Sequence, residues 1–437
     1  MIVTPVPPAD TLTAADQALL DRFQRAAFGY LVEYGNPDNG LVADTSRPGA
    51  PASIAVAGFA LSCYPIGVER GWISRADAAR RALAAVRFFR RSPQGPQPDA
   101  AGHMGFYYHF LDMRTGLRTW QSELSVMDTA LLLAGVLCAA TYFAADTAVE
   151  REIRDHAEAI YNRVDWPWAR GQDATTRQGW TPEGGFLKYG WDGYDEAAIL
   201  YVLGLASPTR PLDDGAYHSW TGAYEWVRAY DIDYLYAGPL FIHQFSHAWI
   251  DFSGIQDAFM REKGSDYFRN SQAAVAVQRE YARRNPKGFA GYGEDFWGLT
   301  ACDGPGPRKR VAGGVSRSFL GYEARGAPYG PDDGCVSPIA ALAALPFEPE
   351  AALAALRHLI ATYPHAIVES RLPSSFNPSL PGSSRRGWVC DAWFGLDQGL
   401  LVMMIENYRS GLIWRLMRDC PHIGAGLRRA GFAGGWL

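Results

Sequence analysis

The chain has 437 residues, with 46 Asp+Glu against 41 Lys+Arg, and the resulting net charge of −5 carries no cationic footprint for nucleic acid. Hydrophobic residues make up 48% and charged residues 20%, which suits a large buried core and argues against disorder. The six Cys, at 63, 138, 302, 335, 390 and 420, form no C-x-x-C pair and no zinc spacing, so a structural zinc or a dense disulfide scaffold is not expected; cytoplasm and periplasm both stay open as compartments.

The start, MIVTPVPPADTLT, has neither the basic nor the apolar stretch of a signal peptide, and residues 1–13 are expected to form a flexible segment ahead of one catalytic domain filling the chain. Helical periodicity then predicts Ala14 to Tyr34, Ile54 to Arg70, Arg75 to Arg90, Leu124 to Phe143 and Val149 to Val164, with Thr13 and Ser74 placed as N-caps. The pattern continues with Asp195 to Leu205, His243 to Ile250, Ser271 to Arg284, Val336 to Leu345, Pro349 to Thr362 and Gln398 to Met417. Alternating patterns are scarce, and only 107–113 and the stretch around Gly185 to Tyr189 read as hairpin candidates. The longest apolar run, around Ala130 to Ala140, is too short to cross a bilayer, so no membrane insertion is expected. About twelve helices at roughly 36 residues each, without the sequence repeat of a solenoid, point to an all-α fold, an (α/α)6 toroid of six helical hairpins with long loops at its mouth.

One arrangement recurs. A loop rich in carboxylates, aromatics and glycine leads directly into an apolar helix at 119–135, 189–205, 243–254, 292–306 and 393–408. If these helices form the inner ring, their N-terminal ends gather into an acidic, aromatic mouth able to bond hydroxyl groups and stack on sugar faces. Acidic residues at helix starts are also ordinary caps, so each must be weighed. Glu123 and Asp128 lie five apart, about 140° around a helix, which assigns Glu123 to the preceding loop. Asp128 and Glu196 stand at the heads of apolar helices, where an acid lines a pocket or is buried at a cost. Asp303, beside Gly304, and Asp397, between Gly395 and Gly399, read as ligand-facing groups.

Trp191, Tyr194, Trp249, Trp297, Trp393 and Phe394 lie in or beside these loops and are expected to form stacking subsites, with interior packing as the competing role for about half of them. Asp251 and Gln398, in the same loops, complete the expected substrate contacts. Trp72, Trp226 and Trp414 fall within helical patterns and are assigned to packing. His243 and His247 have the i, i+4 spacing of a metal-binding helix, yet Gln244 stands where a zinc protease needs its general base. No metal or cofactor is therefore expected, and His247 is given a hydroxyl-binding or structural role. With no G-x-S-x-G elbow and no phosphate-binding glycine loop, the chemistry this mouth suits is glycoside hydrolysis by paired carboxylates.

The stretches GLVADTSRPG, GFYYHFLDMRTGLR, ELSVMDTALLLAG, YDEAAILYVLGLASPT, HQFSHAWIDFSGIQD, YGEDFWGLTACDGP and GLDQGLLVMMIENYRSGLIW run in order from about residue 15 to about 417. Through them the chain resembles the glucoamylase-like family of bacterial proteins, and within it the β-1,2-glucanases of glycoside hydrolase family 144. The resemblance implies the (α/α)6 toroid and metal-independent hydrolysis of β-1,2-glucan or sophoro-oligosaccharides with inversion at C1, endo or exo; a monomer is the separate expectation for the assembly. It implies Glu196 as general acid, with Asp303, Asp128 and Glu123 as candidates for the base and Asp397 behind them. Asp195 stands where relatives commonly carry Asn or Ser, an extra carboxylate able to raise the acid's pKa. The stretch 308–326 departs from the usual spacing and is expected to reshape one end of the cleft. A glucan transglycosylase of the same fold and a non-catalytic β-glucan binding protein are the competing readings.

Overall fold

The segment IAVAGFALSCYPIGVE carries no charge before its last residue, so a helix made from it must be surrounded by protein, whereas RADAARRALAAVRFFRR offers one apolar face only. The computed structural model, which describes residues 12–312, 314–380 and 386–437, builds both as helices, the first buried almost all round and the second on one side. The helices are α1 (Ala14–Glu33), α2 (Ile54–Glu69), α3 (Arg75–Arg91), α4 (Val126–Tyr142), α5 (Ala148–Asn162), α6 (Trp166–Arg170), α7 (Ala198–Ala206) and α8 (Asp214–Gly222). They continue with α9 (Phe245–Trp249), α10 (Ala258–Glu262), α11 (Tyr267–Arg284), α12 (Pro338–Ala343), α13 (Pro349–Thr362), α14 (Gly395–Arg409), α15 (Leu412–Asp419) and α16 (Pro421–Arg429).

The apolar helices pack on one another in cyclic order: α2 on α4, α4 on α7, α7 on α9, α9 on α14 and α14 back on α2, with α12 against α14. Amphipathic helices cover them from outside, α3 and α5 against α2 and α4, α13 against α12, α16 against α7 and α1 against α14. The tightest approach is between α2 and α4, where a Cβ on Gly135 would stand 1.9 Å from the Gly58 carbonyl oxygen. Two glycines let the backbones touch where any larger residue would hold them apart.

The predicted helices are present with small shifts, and two differences have local causes. The helix expected from Asp195 begins instead at Ala198, because the Asp195 carboxylate accepts the Ala197 N–H at 2.9 Å and holds the chain in a turn. The helix expected over Gln398 to Met417 divides at Gly411, whose φ of 66° is left-handed. Four helices of five to nine residues, α6, α8, α10 and α16, were too short for periodicity to reveal.

The fold is mostly helical rather than all-α, since short strands line the loops. A five-stranded antiparallel sheet takes Gly102–His103, Phe106–Tyr108, Leu124–Ser125, Gly179–Thr181 and Gly185–Phe186 in that order. The residues expected to pair within 107–113 do not pair with each other: Tyr107 and Tyr108 face Ser125 and Leu124, and Phe110 faces Ser53. Hairpins Trp226–Ala229/Ile232–Leu235 and Arg308–Ala312/Val315–Phe319 stand where no strand was expected, the second within the stretch of unusual spacing. Trp226 packs against Phe259 from a strand, Trp72 against Phe28, and the Trp414 indole donates to the His247 carbonyl at 2.7 Å. The expected flexible segment 1–13 lies, through residue 11, outside the described residues; Thr13 caps α1 by accepting the Asp16 N–H. Among the described residues no helix is long and apolar enough to cross a membrane.

Candidate active site

The first turns of α4, α9, α12 and α14 and the residues just before α7 open onto one cavity of about 490 Å³. Its wall holds six carboxylates, Asp44, Glu123, Asp128, Glu196, Asp303 and Asp397, together with the His109 imidazole. Trp191, Phe110, Phe241, Phe245, Tyr322 and Phe394 supply aromatic surface.

Glu196 is held by its backbone. The Ser246 hydroxyl donates to the Glu196 carbonyl at 2.8 Å and accepts the Ile199 N–H at 3.1 Å, pinning the entry of α7 to α9. Burial raises the Glu196 carboxyl above the ordinary carboxylate range, and the negative charge of Asp195 adds to the rise. Asp195 is raised as well, first by burial, although it accepts both the Ala197 N–H and, at 3.0 Å, the Trp220 indole N–H.

On another part of the wall the sheet register sets His109 opposite Glu123, one step beyond the Tyr108–Leu124 pair. The His109 N–H donates to the Glu123 carbonyl at 2.9 Å, and the ring Nδ1 lies 2.8 Å from Glu123 Oε1. Its Nε2 lies 3.6 Å from Asp128 Oδ2. Because the strand Leu124–Ser125 intervenes before α4, Glu123 and Asp128 reach the same imidazole, which a continuous helix would forbid. Ser125 caps α4 by accepting the Asp128 N–H at 3.1 Å. Burial pulls the His109 pKa down, but Asp128, Glu123 and Asp44 outweigh it and carry the ring to about 9. Glu123, which burial pushes up, is lowered overall by its bond to His109. Burial lifts Asp44 to about 6, with Asp128 adding to it and His109 opposing. Asp397, in the first turn of α14, is lifted by burial to about 7 despite a bond from Ser374.

Asp303 is anchored otherwise: Arg47 donates to its carboxylate at 2.6 Å and to Asp391 at 2.7 Å, while its backbone carbonyl accepts the Ser375 hydroxyl at 2.6 Å. The same guanidinium lies 5.7 Å from the Phe394 ring centre, and the Tyr322 ring lies 6.5 Å from Phe394 at 30°. Among the described residues, His109, Glu123 and Asp128 are the group whose ligand atoms could share a metal, all lying within 4.8 Å. Each ring nitrogen, however, faces a different carboxylate, and a protonated imidazole serves both at once, whereas a metal would take one ring nitrogen only.

Of the residues singled out in the sequence, Glu196, Asp303, Glu123, Asp128, Asp397, Trp191 and Phe394 line the cavity. The others do not. Tyr194 packs among Tyr224, His243 and Tyr267. His247 is buried with Nε2 at 3.1 Å from the Ser271 hydroxyl, and burial lowers its pKa to about 3. The Trp249 indole donates to Ser62 inside the core, and Asp251 is paired with Arg418. Trp297 is 2% exposed, Trp393 lies beneath the Arg371 guanidinium, and Gln398 is fully buried. These aromatics satisfied a local pattern that interior packing satisfies equally well. Asp44, Arg47, His109, Phe110 and Tyr322 escaped notice. Asp44 and Arg47 stand in a turn-rich loop with no helix to point them, and His109 alternates with apolar neighbours in a way that reads as a strand and no more.

The family described as "Putative glucoamylase" matches residues 188–421, more than half of the chain. A curated relative, the exo beta-1,2-glucooligosaccharide sophorohydrolase (non-reducing end) of Parabacteroides distasonis, is 26% identical over a gapped alignment of 457 positions that covers 96% of this chain. The chain spans 59% of that relative's length. Among solved structures, a "putative glucoamylase" of Bacteroides uniformis superposes with a TM-score of 0.85 at 29% identity, covering 98% of this chain and 100% of that one. The endo-beta-1,2-glucanase of Chitinophaga pinensis, in complex with sophorotriose and glucose, gives 0.82 at 26% identity with the same two coverages.

Proposed function

The chain belongs to the glucoamylase-like family, and from that premise we propose that it is an inverting glycoside hydrolase of β-1,2-linked glucose chains with Glu196 as the general acid. The observation that carries the reading is a carboxyl raised by burial at the head of an apolar helix, on the wall of a cavity crowded with further acids. A carboxyl so raised keeps its proton near neutral pH and can deliver it to the departing glycosidic oxygen. Asp195 beside it strengthens the effect through its charge.

The second step needs an ionised carboxylate to take a proton from the water that attacks C1. Glu123, which its bond to His109 lowers against the push of burial, is one candidate; Asp128, facing the same ring, and Asp303, paired with the Arg47 guanidinium, are the others. Asp397, lifted to about 7, ranks behind them. Trp191 and Phe394 serve as sugar-stacking surfaces in the cavity. The cyclic order of the apolar helices and their outer cover supports a single (α/α)6 toroid, with the cavity at the N-terminal ends of the inner ring. Relatives solved or curated as β-1,2-glucan hydrolases support the linkage.

The test is incubation with linear β-1,2-glucan and with sophoro-oligosaccharides, following products by chromatography and the new anomer by NMR. Shorter products of inverted configuration are expected. Glu196→Gln should lose turnover on these substrates, keep its affinity, and recover activity on an aryl glycoside whose leaving group needs no proton. Longer or cyclic products would reassign the protein as a transglycosylase, and binding without turnover in the parent chain would make it a glucan-binding protein.

A further inference from the structure

Beside Phe110 of the cavity wall a four-residue turn, Thr119 to Ser122, holds two consecutive non-glycine residues in the left-handed region, Trp120 at φ 56° and Gln121 at φ 52°. The Ser122 N–H donates to the Thr119 carbonyl at 3.0 Å, so this is a tight turn of the kind that glycine and asparagine ordinarily occupy. Trp and Gln are poor choices there, and their backbone conformation carries strain. The turn is nevertheless firmly built. The Arg118 side chain, 2% exposed, donates to the Gln121 carbonyl at 2.8 Å and the Ser122 carbonyl at 2.6 Å and pairs with Glu183 at 2.7 Å. The Thr119 N–H donates to the Phe110 carbonyl at 3.1 Å, tying the turn to the cavity wall.

All of this presents an indole to solvent. Trp120 is 68% exposed, and exposing so large a ring in a strained backbone position gains nothing for folding. Its ring stands 5.3 Å from Phe110, which lines the cavity and itself stacks on His109 at 3.9 Å and 13°. An aromatic surface therefore continues from the His109 clamp, through Phe110, out of the cavity to Trp120.

We infer that Trp120 is a distal subsite, a platform on which a glucosyl unit of a longer β-1,2-linked chain stacks after the chain leaves the cavity over Phe110. The inference rests on the hydrolase reading above and extends it to chain-length preference. A pyranose ring presents an apolar face to an exposed indole and its hydroxyls to water, and the strained turn keeps the indole in place without the entropy cost of ordering a mobile loop.

The experiment compares kcat/KM on polymeric β-1,2-glucan with kcat/KM on the shortest β-1,2-linked oligosaccharide the parent chain cleaves, for the parent, Trp120→Gly and Trp120→Tyr, with calorimetric binding of both sugars in a Glu196→Gln background. Glycine suits the left-handed position, so Trp120→Gly should melt no lower than the parent. Its long-to-short ratio should fall about fivefold, the size of one stacking contact, with the short-substrate rate unchanged, and Trp120→Tyr should restore most of it. A ratio in Trp120→Gly equal to the parent's, or equal losses on both substrates, would overturn the inference while leaving the hydrolase standing. A parent chain that neither cleaves nor binds either sugar would overturn the hydrolase reading and this one with it.

Discussion

Replacing His109 by Gln tests whether a buried cation holds the acidic wall together. The ring is raised from 6.5 to about 9, with burial opposing and Asp128, Glu123 and Asp44 prevailing. At about 1.4 kcal/mol per unit, that preference for the charged ring amounts to about 3 kcal/mol of folded-state stabilisation. The side chain is 25% exposed, so solvent screening trims this figure without removing it. The sign follows from a folded pKa above the unfolded one. The contribution is fully present below about pH 6.5 and is lost as pH rises through about 9. The lowered Glu123 is the same contact seen from its partner and is not added. Urea unfolding of the parent and His109→Gln should therefore differ by up to about 3 kcal/mol at pH 6 and converge above pH 9. In the folded parent, the His109 ring proton followed by NMR should titrate near 9. A stability gap that does not change between pH 6 and pH 9.5, or a ring titrating at its ordinary value, would refute the bridged imidazolium.

Three further outcomes follow from the structure. Gly135→Ala should destabilise by about 1–3 kcal/mol or more, read by thermal melting, because the added methyl would meet the Gly58 backbone, which cannot rotate away. Trp297→Ala should cost about 3–5 kcal/mol of stability and leave the KM of the folded enzyme unchanged, since the indole is buried outside the cavity lining. Asp195→Asn should move the alkaline limb of kcat/KM to lower pH, because losing the neighbouring charge makes the Glu196 proton easier to remove; an unmoved limb in the pH–rate profile would exclude Glu196 as the group behind it.

Features set by neighbours along the chain were legible in the sequence. Thr13 and Ser74 cap their helices as their spacing indicated, and α13 begins and ends where the apolar period does. Acidic loops leading into apolar helices foretold an acidic mouth, since a wholly apolar helix must be interior and its loop must then emerge at the helix end. Tertiary structure decided which side chains meet there. Trp191 and Trp249 belong to the same kind of sequence motif, yet one lines the cavity and the other, at the end of α9, bonds Ser62 in the core. The pairing of His109 with Glu123 depends on strand register across 14 residues, and that of Arg47 with Asp303 spans 256. Local periodicity is a property of a few consecutive residues, whereas a charge's partner and a ring's surroundings are set by elements distant in sequence. For that reason five of the six cavity acids were visible before folding, and Asp44 together with the cations that order the wall, His109 and Arg47, only after it.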